Sequence, residues 1–459
     1  MGAILPIAAT FRMDACKFLF LDSPIDRLTM TSSYDYEQYD REEDDYDGGE
    51  DSVLLTLVQG YDWTGTLARI QSNPEEARNV DFQGRTALHV ACDQDAPAFV
   101  VQALLSAYPE ASIMVGTSNM NPLHITCSSQ HASVQVVRVL LESGMGHEAS
   151  KRQDVDGDMP LHAACRCGAP MEVLEVLLKA NPAAVMERDY EGLTPLLRLW
   201  VRYFVILGDY VIDAVKGAAD LTGELGEAWK KTELLLRCAY LGTLQQDEGT
   251  VFRAVHAASA VDCPRAVVKI ATIVHPQQVE ELDEQKLTPL LIAAMAPIFK
   301  VRDLSDEGYL LEDRIHGDEN YENGDEDDHY LEEESLQPSV IEILVTASGD
   351  PAFSPDPKGR LPLHLAIASG KVWGNGVKAI MDANPDALMM QDSVTRLYPF
   401  LLAAEAQNSD VNTIFELLRS NPALTQCALD VAYHEGMDDS SKHKKECSAA
   451  IVNVLPQQN

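Results

Sequence analysis

The sequence predicts an all-α fold, a solenoid of about eight to nine helix-turn-helix units with one inserted helical segment and one acidic loop. Three observations lead to this prediction. A short motif built around Leu-His recurs along the chain, an apolar helical pattern follows most copies, and the copies stand at similar intervals. Neither helix of such a unit can bury its apolar stripe alone, so each unit needs a neighbour. We therefore expect a stack of units, each packed on the next along the chain.

The recurring motif has a Pro-Leu-His core with substitutions in some copies. Its fourth residue recurs after 35, 38, 35, 59, 35, 73 and 37 residues. The interval of 73 is close to two units, and the interval of 59 is one unit plus an insertion. The copies are Thr86–His89, Asn121–His124, Met159–His162, Thr194–Leu197, Arg253–His256, Thr288–Leu291, Leu361–His364 and Tyr398–Leu401.

The stretch Asp154–Met186 contains a complete unit. It begins with a turn at Asp156-Gly157 and continues with a short helix in which Pro160 falls in the first turn. Proline is compatible with that position because the first N–H groups of a helix have no intrahelical partner. A break at Gly168–Pro170 precedes the second helix, whose apolar side is carried by Val173–Leu178.

The apolar pattern of the second helix recurs along the chain. One copy, Ile341–Val345, lies between the two most widely spaced motifs and explains most of the long interval. The other copies are Val100–Leu105, Val136–Leu141, Leu234–Leu236, Val267–Ile270 and Ile414–Leu418.

These units resemble the ankyrin repeat, whose Thr-Pro-Leu-His signature and period of about 33 residues form the nearest pattern. The resemblance extends over roughly Gly65–Gln426. The units here are a few residues longer, and their second helices often end in a proline-containing cap, as in the diatom-type ankyrin proteins, a group without an assigned activity. The caps are Asn73–Glu76, Tyr108–Ala111, Asn181–Ala184, Asn384–Ala387 and Asn421–Leu424.

Five histidines occupy the last position of the motif. A row of imidazoles suggests a metal ladder, but the copies would face their neighbours rather than converge on one point. The resemblance implies instead that each ring bonds to the backbone of the adjacent turn. These residues are His89, His124, His162, His256 and His364.

The net charge of −37 excludes most nucleic-acid ligands, because phosphate binding needs a basic face. It also disfavours adhesion to anionic membranes. Arg202 and Asp209 interrupt the apolar cluster Leu199–Val215, so we expect no membrane span.

Nine scattered cysteines do not form a disulfide framework. We read Cys92, Cys127 and Cys165 as small buried residues at one position of successive units, and we expect an intracellular, cytoplasmic protein, with the nucleus as an alternative.

The negative charge is concentrated in two segments. Residues 1–51 carry −9 and Arg302–Ser335 carry −13, together −22 of the total. Tyr34–Asp51 contains no aliphatic residue and cannot bury enough surface to fold, so we predict a disordered acidic tail. That tail is either a solvating arm or a docking segment for a basic partner.

A third irregular segment lies between Trp200 and Glu233. Its apolar residues have helical spacing, and an inserted helix on one side of a solenoid commonly marks a binding surface or covers a neighbouring unit. Trp200 and Trp229 are therefore either partner anchors or core residues, and we favour the core.

The resulting domain prediction follows the chain from end to end. It comprises a disordered acidic N-terminal tail (1–51), a degenerate N-terminal capping repeat (52–80), ankyrin-like repeats (81–200), a helical insertion (201–232), ankyrin-like repeats (233–300), an acidic disordered insertion (301–336), ankyrin-like repeats (337–427), and a C-terminal cap and tail (428–459).

No motif of a catalytic or cofactor site occurs in a suitable context, so we expect no enzyme, no cofactor and no metal. The acidic stretch around Gly324 has the glycine of a calcium loop. Counting from that glycine, Tyr330 stands where the bidentate carboxylate is needed, which argues against a dedicated calcium site. A hydrolase hidden in the repeat frame would reveal itself by a metal or cofactor that co-purifies.

Two functions remain open. The first is a protein-interaction scaffold, a monomer that binds a protein partner through the concave face of the solenoid, built from turn tips and first helices. The second is an acidic chaperone or decoy that holds a basic protein with its acidic tail and loop. The candidate contacts of the first are Phe82, Gln83, Asn119, Met120, Asp156, Tyr190 and Glu191.

Overall fold

The computed structural model describes residues 52–116, 118–129, 131–207, 214–244, 252–297, 339–348, 351–406 and 410–421. Within these ranges the regular secondary structure is helical and no strand occurs. The predicted acidic tail, the acidic insertion and the C-terminal segment lie outside the described residues. The described residues fall into two compact units. The N-terminal unit runs to Pro195 and includes Leu241–Leu244, and the C-terminal unit contains Leu196–Tyr240 and the described residues from 252 onwards.

Paired helices stack in chain order in the N-terminal unit. The first helices pack as α1–α3–α5–α8 and the second helices as α2–α4–α6–α9, so each pair contacts its sequence neighbours. The helices are α1 (Val53–Gln59), α2 (Trp63–Ser72), α3 (Ala87–Asp93), α4 (Ala98–Ala107), α5 (Pro122–Cys127), α6 (Val134–Glu142), α7 (Gly146–Ala149), α8 (Pro160–Cys167) and α9 (Met171–Ala180).

The C-terminal unit has the same sequential packing. Its first helices follow one another as α12–α14–α16–α18, and α13, α15 and α17 form the second row. The helices are α10 (Pro195–Leu207), α11 (Gly223–Leu241), α12 (Ala254–Ala260), α13 (Arg265–Val274), α14 (Pro289–Met295), α15 (Val340–Ala347), α16 (Pro362–Ala368), α17 (Lys378–Ala383), α18 (Pro399–Glu405) and α19 (Val411–Ser420).

The helix limits follow local sequence signals. Pro160 is the first residue of α8, as the sequence predicts. The helix ends where Gly168 adopts a left-handed conformation (φ 72°), which glycine enters without steric cost. Pro170 then precedes α9. Other first helices also begin at proline, namely α5, α10, α14, α16 and α18.

The proline-containing caps are short 3-10 helices that follow the second helix of a repeat. In the last described cap, Asn384 is buried and its Nδ2 donates a hydrogen bond of 3.0 Å to the carbonyl oxygen of Ala352 in the cap before it. This bond links the cap of one repeat to the cap of the repeat before it. They are Pro74–Arg78, Pro109–Ile113, Pro182–Met186, Pro276–Gln278, Pro351–Phe353 and Pro385–Met389; the predicted cap at Pro422 lies outside the described residues.

The predicted insertion 201–232 differs from the structure at its boundaries. Its first residues continue α10, and its last residues belong to α11, which runs on through Leu241 without a break at 232. Helix α11 continues because its buried residues keep helical spacing from Leu225 to Cys238. Residues 214–222 contain only a 3-10 turn, between the extended Gly217 (φ −172°) and the left-handed Gly223 (φ 56°). Residues 208–213 lie outside the described ranges.

The core of each unit consists of aliphatic residues at repeated positions. Leu88, Leu123 and Leu161 in successive first helices are buried, as is Leu363 in the C-terminal unit. Burial of such a side chain stabilises the fold by about 1.5–3 kcal/mol. In the described residues, no helix is both long enough and apolar enough to cross a membrane.

Candidate functional site

The turns that precede most of the first helices have a shared geometry. In the turn Asp81–Arg85, the backbone N–H of Asp81 donates to the carbonyl oxygen of Arg85 (2.9 Å), and Gly84 N–H donates back to the carbonyl oxygen of Asp81 (2.9 Å). Gly84 has φ 71°. The same pattern recurs in Gly116–Met120, Asp154–Asp158, Asp189–Leu193, Asp283–Leu287 and Asp356–Arg360. Asp392–Leu397 has a corresponding pair of bonds in a turn that is one residue longer.

An aspartate carboxylate holds most of these turns. Oδ1 of Asp154 accepts hydrogen bonds of 2.9 Å from the N–H groups of Asp156 and Asp158. Asp356 does the same for Lys358 (2.9 Å) and Arg360 (2.8 Å). These bonds satisfy N–H groups that a tight turn leaves unpaired, so they fix the backbone of the turn.

Successive turns of the N-terminal unit are bonded to one another. Nδ2 of Asn119 donates to the carbonyl oxygen of Gln153 (2.7 Å), and Val155 N–H donates to that of Ser118 (3.3 Å). Tyr190 N–H donates to the carbonyl oxygen of Asp156 (3.0 Å). Hydrogen bonds therefore join the last three of these turn tips, and Gly116 lies against Gln83 and Arg85 of the first, so the four turn tips form one edge of this unit.

The seven candidate residues lie on this edge, in four successive turns. Phe82 is 81% exposed and Tyr190 is 73% exposed, which is unusual for large aromatic side chains. Asn119, Asp156 and Glu191 are also exposed, whereas Gln83 and Met120 are half-buried. Val155, which the sequence analysis did not select, is 56% exposed at the turn position that Phe82 and Tyr190 share.

Turn tips of the C-terminal unit carry a different chemistry. Lys286, Lys358 and Arg396 are exposed in three successive turns. Lys286 (φ 62°) and Arg396 (φ 64°) occupy the left-handed position that glycine fills in Asp154–Asp158 and Asp189–Leu193. The first position after the aspartate, aromatic at Phe82, is occupied by Glu284, Pro357 and Ser393.

The motif histidines connect each first helix to the next turn. Nε2 of His364 donates to the carbonyl oxygen of Met390 (2.8 Å), and its Nδ1 accepts from the N–H of Leu361 (3.3 Å). These partners require a neutral ring protonated at Nε2. The same Nε2–carbonyl contact occurs at His89 with Met114, His124 with Asp158, His162 with Glu187 and His256 with Glu281.

Burial sets the charge state of these histidines. It lowers the pKa of His89 and of His124 to about 4, and it also lowers the pKa of His256 and His364. A neutral imidazole suits the buried junction because burial removes the solvation that a cation needs. The structure thus gives these rings the backbone contacts that the resemblance implies.

The cysteines and tryptophans singled out in the sequence lie in the core. Cys92, Cys127 and Cys165 are buried, and burial raises the pKa of the Cys92 thiol to about 12, far from the reactive thiolate range. Trp200 and Trp229 are 0% and 4% exposed. Nε1 of Trp200 donates to Oγ1 of Thr232 (2.9 Å), so the indole is an anchor between α10 and α11.

The turn aspartates are the main feature that the sequence analysis missed. Each of Asp81, Asp154, Asp189, Asp283 and Asp356 stands five residues before the first residue of the recurring motif. That constant spacing is visible in the sequence and predicts the turn aspartates. It would also have identified Gly116 as the exception and Lys286 and Lys358 as turn-tip residues.

A scan against models of protein families matches residues 156–190 to the ankyrin repeat. The matched segment runs from one turn tip to the next and contains α8, α9 and the 3-10 cap Pro182–Met186 that follows α9. Among curated proteins, a search finds no match to the chain.

Proposed function

Because the chain is an ankyrin repeat protein and its repeats form a protein–protein interaction domain, we propose that it is a non-enzymatic scaffold that binds a protein partner through the concave face. In this proposal the partner contacts the edge formed by the four turn tips of the N-terminal unit, which we call the turn edge. We propose further that it acts as a monomer inside the cell, in the cytoplasm or the nucleus.

One observation supports this proposal above others: exposed aromatic side chains stand on turns whose backbone is fixed. Phe82 and Tyr190 expose most of their surface, while Asp81 and Asp189 hold the turns beneath them. The turn of Tyr190 is also bonded to the preceding turn. Aromatic residues dominate the energy of protein interfaces, and a preorganised backbone lowers the entropy lost on binding. The exposed surface of these two rings adds nothing to the core, and their position on fixed turns makes it available to a partner.

Tyr190 also has a defined orientation. A Cβ built at Gly157 would lie 2.7 Å from both Cδ1 and the backbone N of Tyr190, so this ring packs directly against the preceding turn. One side of the ring rests on Gly157 and the rest is open to solvent. We expect the open side to contact the partner.

A double variant tests the proposal. We expect F82S/Y190S to reduce recovery of the partner at least tenfold in affinity purification from the native cells, quantified by mass spectrometry against the wild-type chain. The matched control is F99S/F353S, which removes two aromatic residues of 59% and 48% exposure away from the turn tips. Equal loss in both variants would rule out the turn edge as the contact surface.

The alternative function is that of an acidic chaperone or decoy for a basic protein. It is motivated by the charge of −22 that residues 1–51 and Arg302–Ser335 carry together. The salt dependence of partner binding distinguishes the two functions, because interactions between exposed charges are screened over about 10 Å at 0.1 M ionic strength. We expect partner recovery to persist between 0.1 and 0.3 M salt and to persist after deletion of 302–335. Loss of every partner under both conditions would favour the acidic decoy.

A further inference from the structure

Helix α14 lacks a hydrogen bond that closes the end of other first helices. In α3, α8 and α16, the N–H of a residue just beyond the helix donates to the carbonyl oxygen three residues earlier. These bonds run from Asp95 to Cys92 (3.4 Å), from Gly168 to Cys165 (3.3 Å) and from Gly370 to Ile367 (3.0 Å). The corresponding residue after α14 is Pro297, which has no N–H. The equivalent acceptor, the carbonyl oxygen of Ala294, therefore cannot be bonded in this way.

Two side chains of the next repeat reach the end of α14 instead. Nζ of Lys371 donates to the carbonyl oxygen of Ala296 (2.5 Å), and Oγ of Ser369 lies 2.5 Å from that of Ala294. Both residues follow α16, which packs against α14. The single hydroxyl proton of Ser369 is shared with two carbonyl oxygens of α16, at 2.8 and 3.0 Å, so Lys371 provides the stronger of the two contacts.

We propose that Ser369 and Lys371 form a clamp, which closes the end of α14 in place of the residues that follow this helix in the chain. Residues 298–338 stand between α14 and α15 and lie outside the described ranges. With the clamp in place, the end of α14 needs nothing from this stretch, which contains the predicted acidic insertion. The repeats then keep their packing whatever the insertion binds. This inference does not rest on the function proposed above.

Lys371 occupies a position at which other repeats have a small residue. It stands seven residues after the motif histidine, as Ala96 and Ala169 do. The N–H of each of the three donates to the carbonyl oxygen five residues earlier, at 3.0 Å for Lys371 and 2.9 Å for the two alanines, and all three residues are buried. The local fold thus requires only a small side chain. The longer lysine side chain adds a contact with the preceding repeat.

Burial of the Lys371 ammonium is unfavourable unless a contact compensates for it. The residue is 8% exposed, and burial lowers its pKa to about 8. Among the residues that the structure describes, no carboxylate forms an ion pair with it. The last carbonyl groups of a helix carry a partial negative charge and favour a cation. The end of α14 is therefore the group that offsets the burial of this charge.

Hydrogen exchange of the full-length protein, followed by mass spectrometry, tests the clamp. The N–H of Ala296 donates to the carbonyl oxygen of Ile292 (2.8 Å) and reports on the last turn of α14. The variant S369A/K371M removes both contacts of the clamp, while methionine keeps the apolar stem of the lysine. We expect exchange in a peptide that covers Pro289–Ala296 to become at least tenfold faster, because the helix end opens more easily. Circular dichroism should show that the variant remains folded.

The matched control is K378M/S420A, which changes an exposed lysine and an exposed serine of the same unit. It should change exchange in α14 less than twofold, and so should deletion of 302–335 from the wild-type chain. Equal acceleration by the control would overturn the proposal, as would unchanged exchange in S369A/K371M. If the deletion accelerated exchange as much as S369A/K371M does, the insertion itself would close the helix, and the proposal would be wrong.

A shortened chain makes the clamp unnecessary. Gly-Ala in place of residues 297–338 gives α14 the connection that Gly168-Ala169 provides after α8, so N–H groups of its own segment can close the helix. In this chain S369A/K371M should accelerate exchange less than twofold. The same tenfold acceleration in both chains would show that the two residues act only through general packing, which contradicts the clamp. If circular dichroism shows that the shortened chain does not fold, the comparison with K378M/S420A decides.

Discussion

Nε1 of Trp200 lies 2.9 Å from Oγ1 of Thr232, and both side chains are fully buried. Thr232 in turn donates from Oγ1 to the carbonyl oxygen of Ala228 (2.7 Å). The bond joins α10 to α11 within the C-terminal unit. Trp200 is thus a core residue that holds α10 against α11.

Replacement of Trp200 by phenylalanine should destabilise the chain by about 2 kcal/mol, from the lost hydrogen bond and the smaller ring. Thr232 keeps its bond to Ala228, so no buried donor is orphaned there. Urea unfolding followed by circular dichroism measures the change. The control is W63F, because Trp63 is only half-buried and should cost less than half as much. Similar costs would contradict the anchoring role of Trp200.

Replacing a motif histidine should lower the free energy of unfolding more where both ring nitrogens form hydrogen bonds. His364→Leu leaves the N–H of Leu361 and the carbonyl oxygen of Met390 without a partner, at about 2–4 kcal/mol. Nδ1 of His256 has no hydrogen-bond partner among the described residues, so His256→Leu removes only the contact with Glu281. We expect it to cost about 1 kcal/mol less. Equal unfolding free energies in the two variants would contradict the two-contact scheme.

The unfolding free energy should fall as pH falls from about 6.5 to 4. Burial lowers the pKa of His89 and His124 to about 4, whereas the unfolded chain protonates them near 6.5. In that window the unfolded state binds more protons, so each histidine loses about 1.4 kcal/mol of stabilisation per pH unit. The neutral-ring contribution is complete above 6.5 and is lost towards 4.

Urea unfolding between pH 7 and 4 measures this dependence. His124→Gln provides the comparison, because carboxylates titrate in the same window in both chains and their effect cancels. The variant should be less stable at pH 7, and its difference from wild type should shrink towards pH 4. A difference independent of pH would show that His124 does not contribute through its titration.

Gly157→Ala should destabilise the N-terminal unit by about 2–4 kcal/mol. Gly157 has φ 79°, and the new methyl group would lie 2.7 Å from the backbone N of Tyr190. Gly84 provides the control, because it has φ 71° and open space around the added Cβ. Gly84→Ala should therefore cost only the conformational strain, about 1–2 kcal/mol. If urea unfolding gave the same loss of unfolding free energy for both variants, the contact of residue 157 with the next turn would not contribute to the destabilisation.

The sequence by itself determined the helical class and the order of the pairs. The recurring Leu-His motif, the prolines in first turns and Gly168 are local signals, because they act on the backbone within a few residues. Repeats also pack mainly on their sequence neighbours, so local order becomes spatial order. The histidine contacts followed from the same resemblance.

Tertiary structure alone decided which turn residues are structural and which are exposed. Asp154 and Asp156 are both turn aspartates, yet the first is buried against N–H groups and the second faces solvent. Likewise, α11 runs through residue 232, where the helical insertion is predicted to end, because its buried residues continue from Leu225 to Cys238. Such outcomes depend on what packs against each side chain, and that information lies in residues far away along the chain.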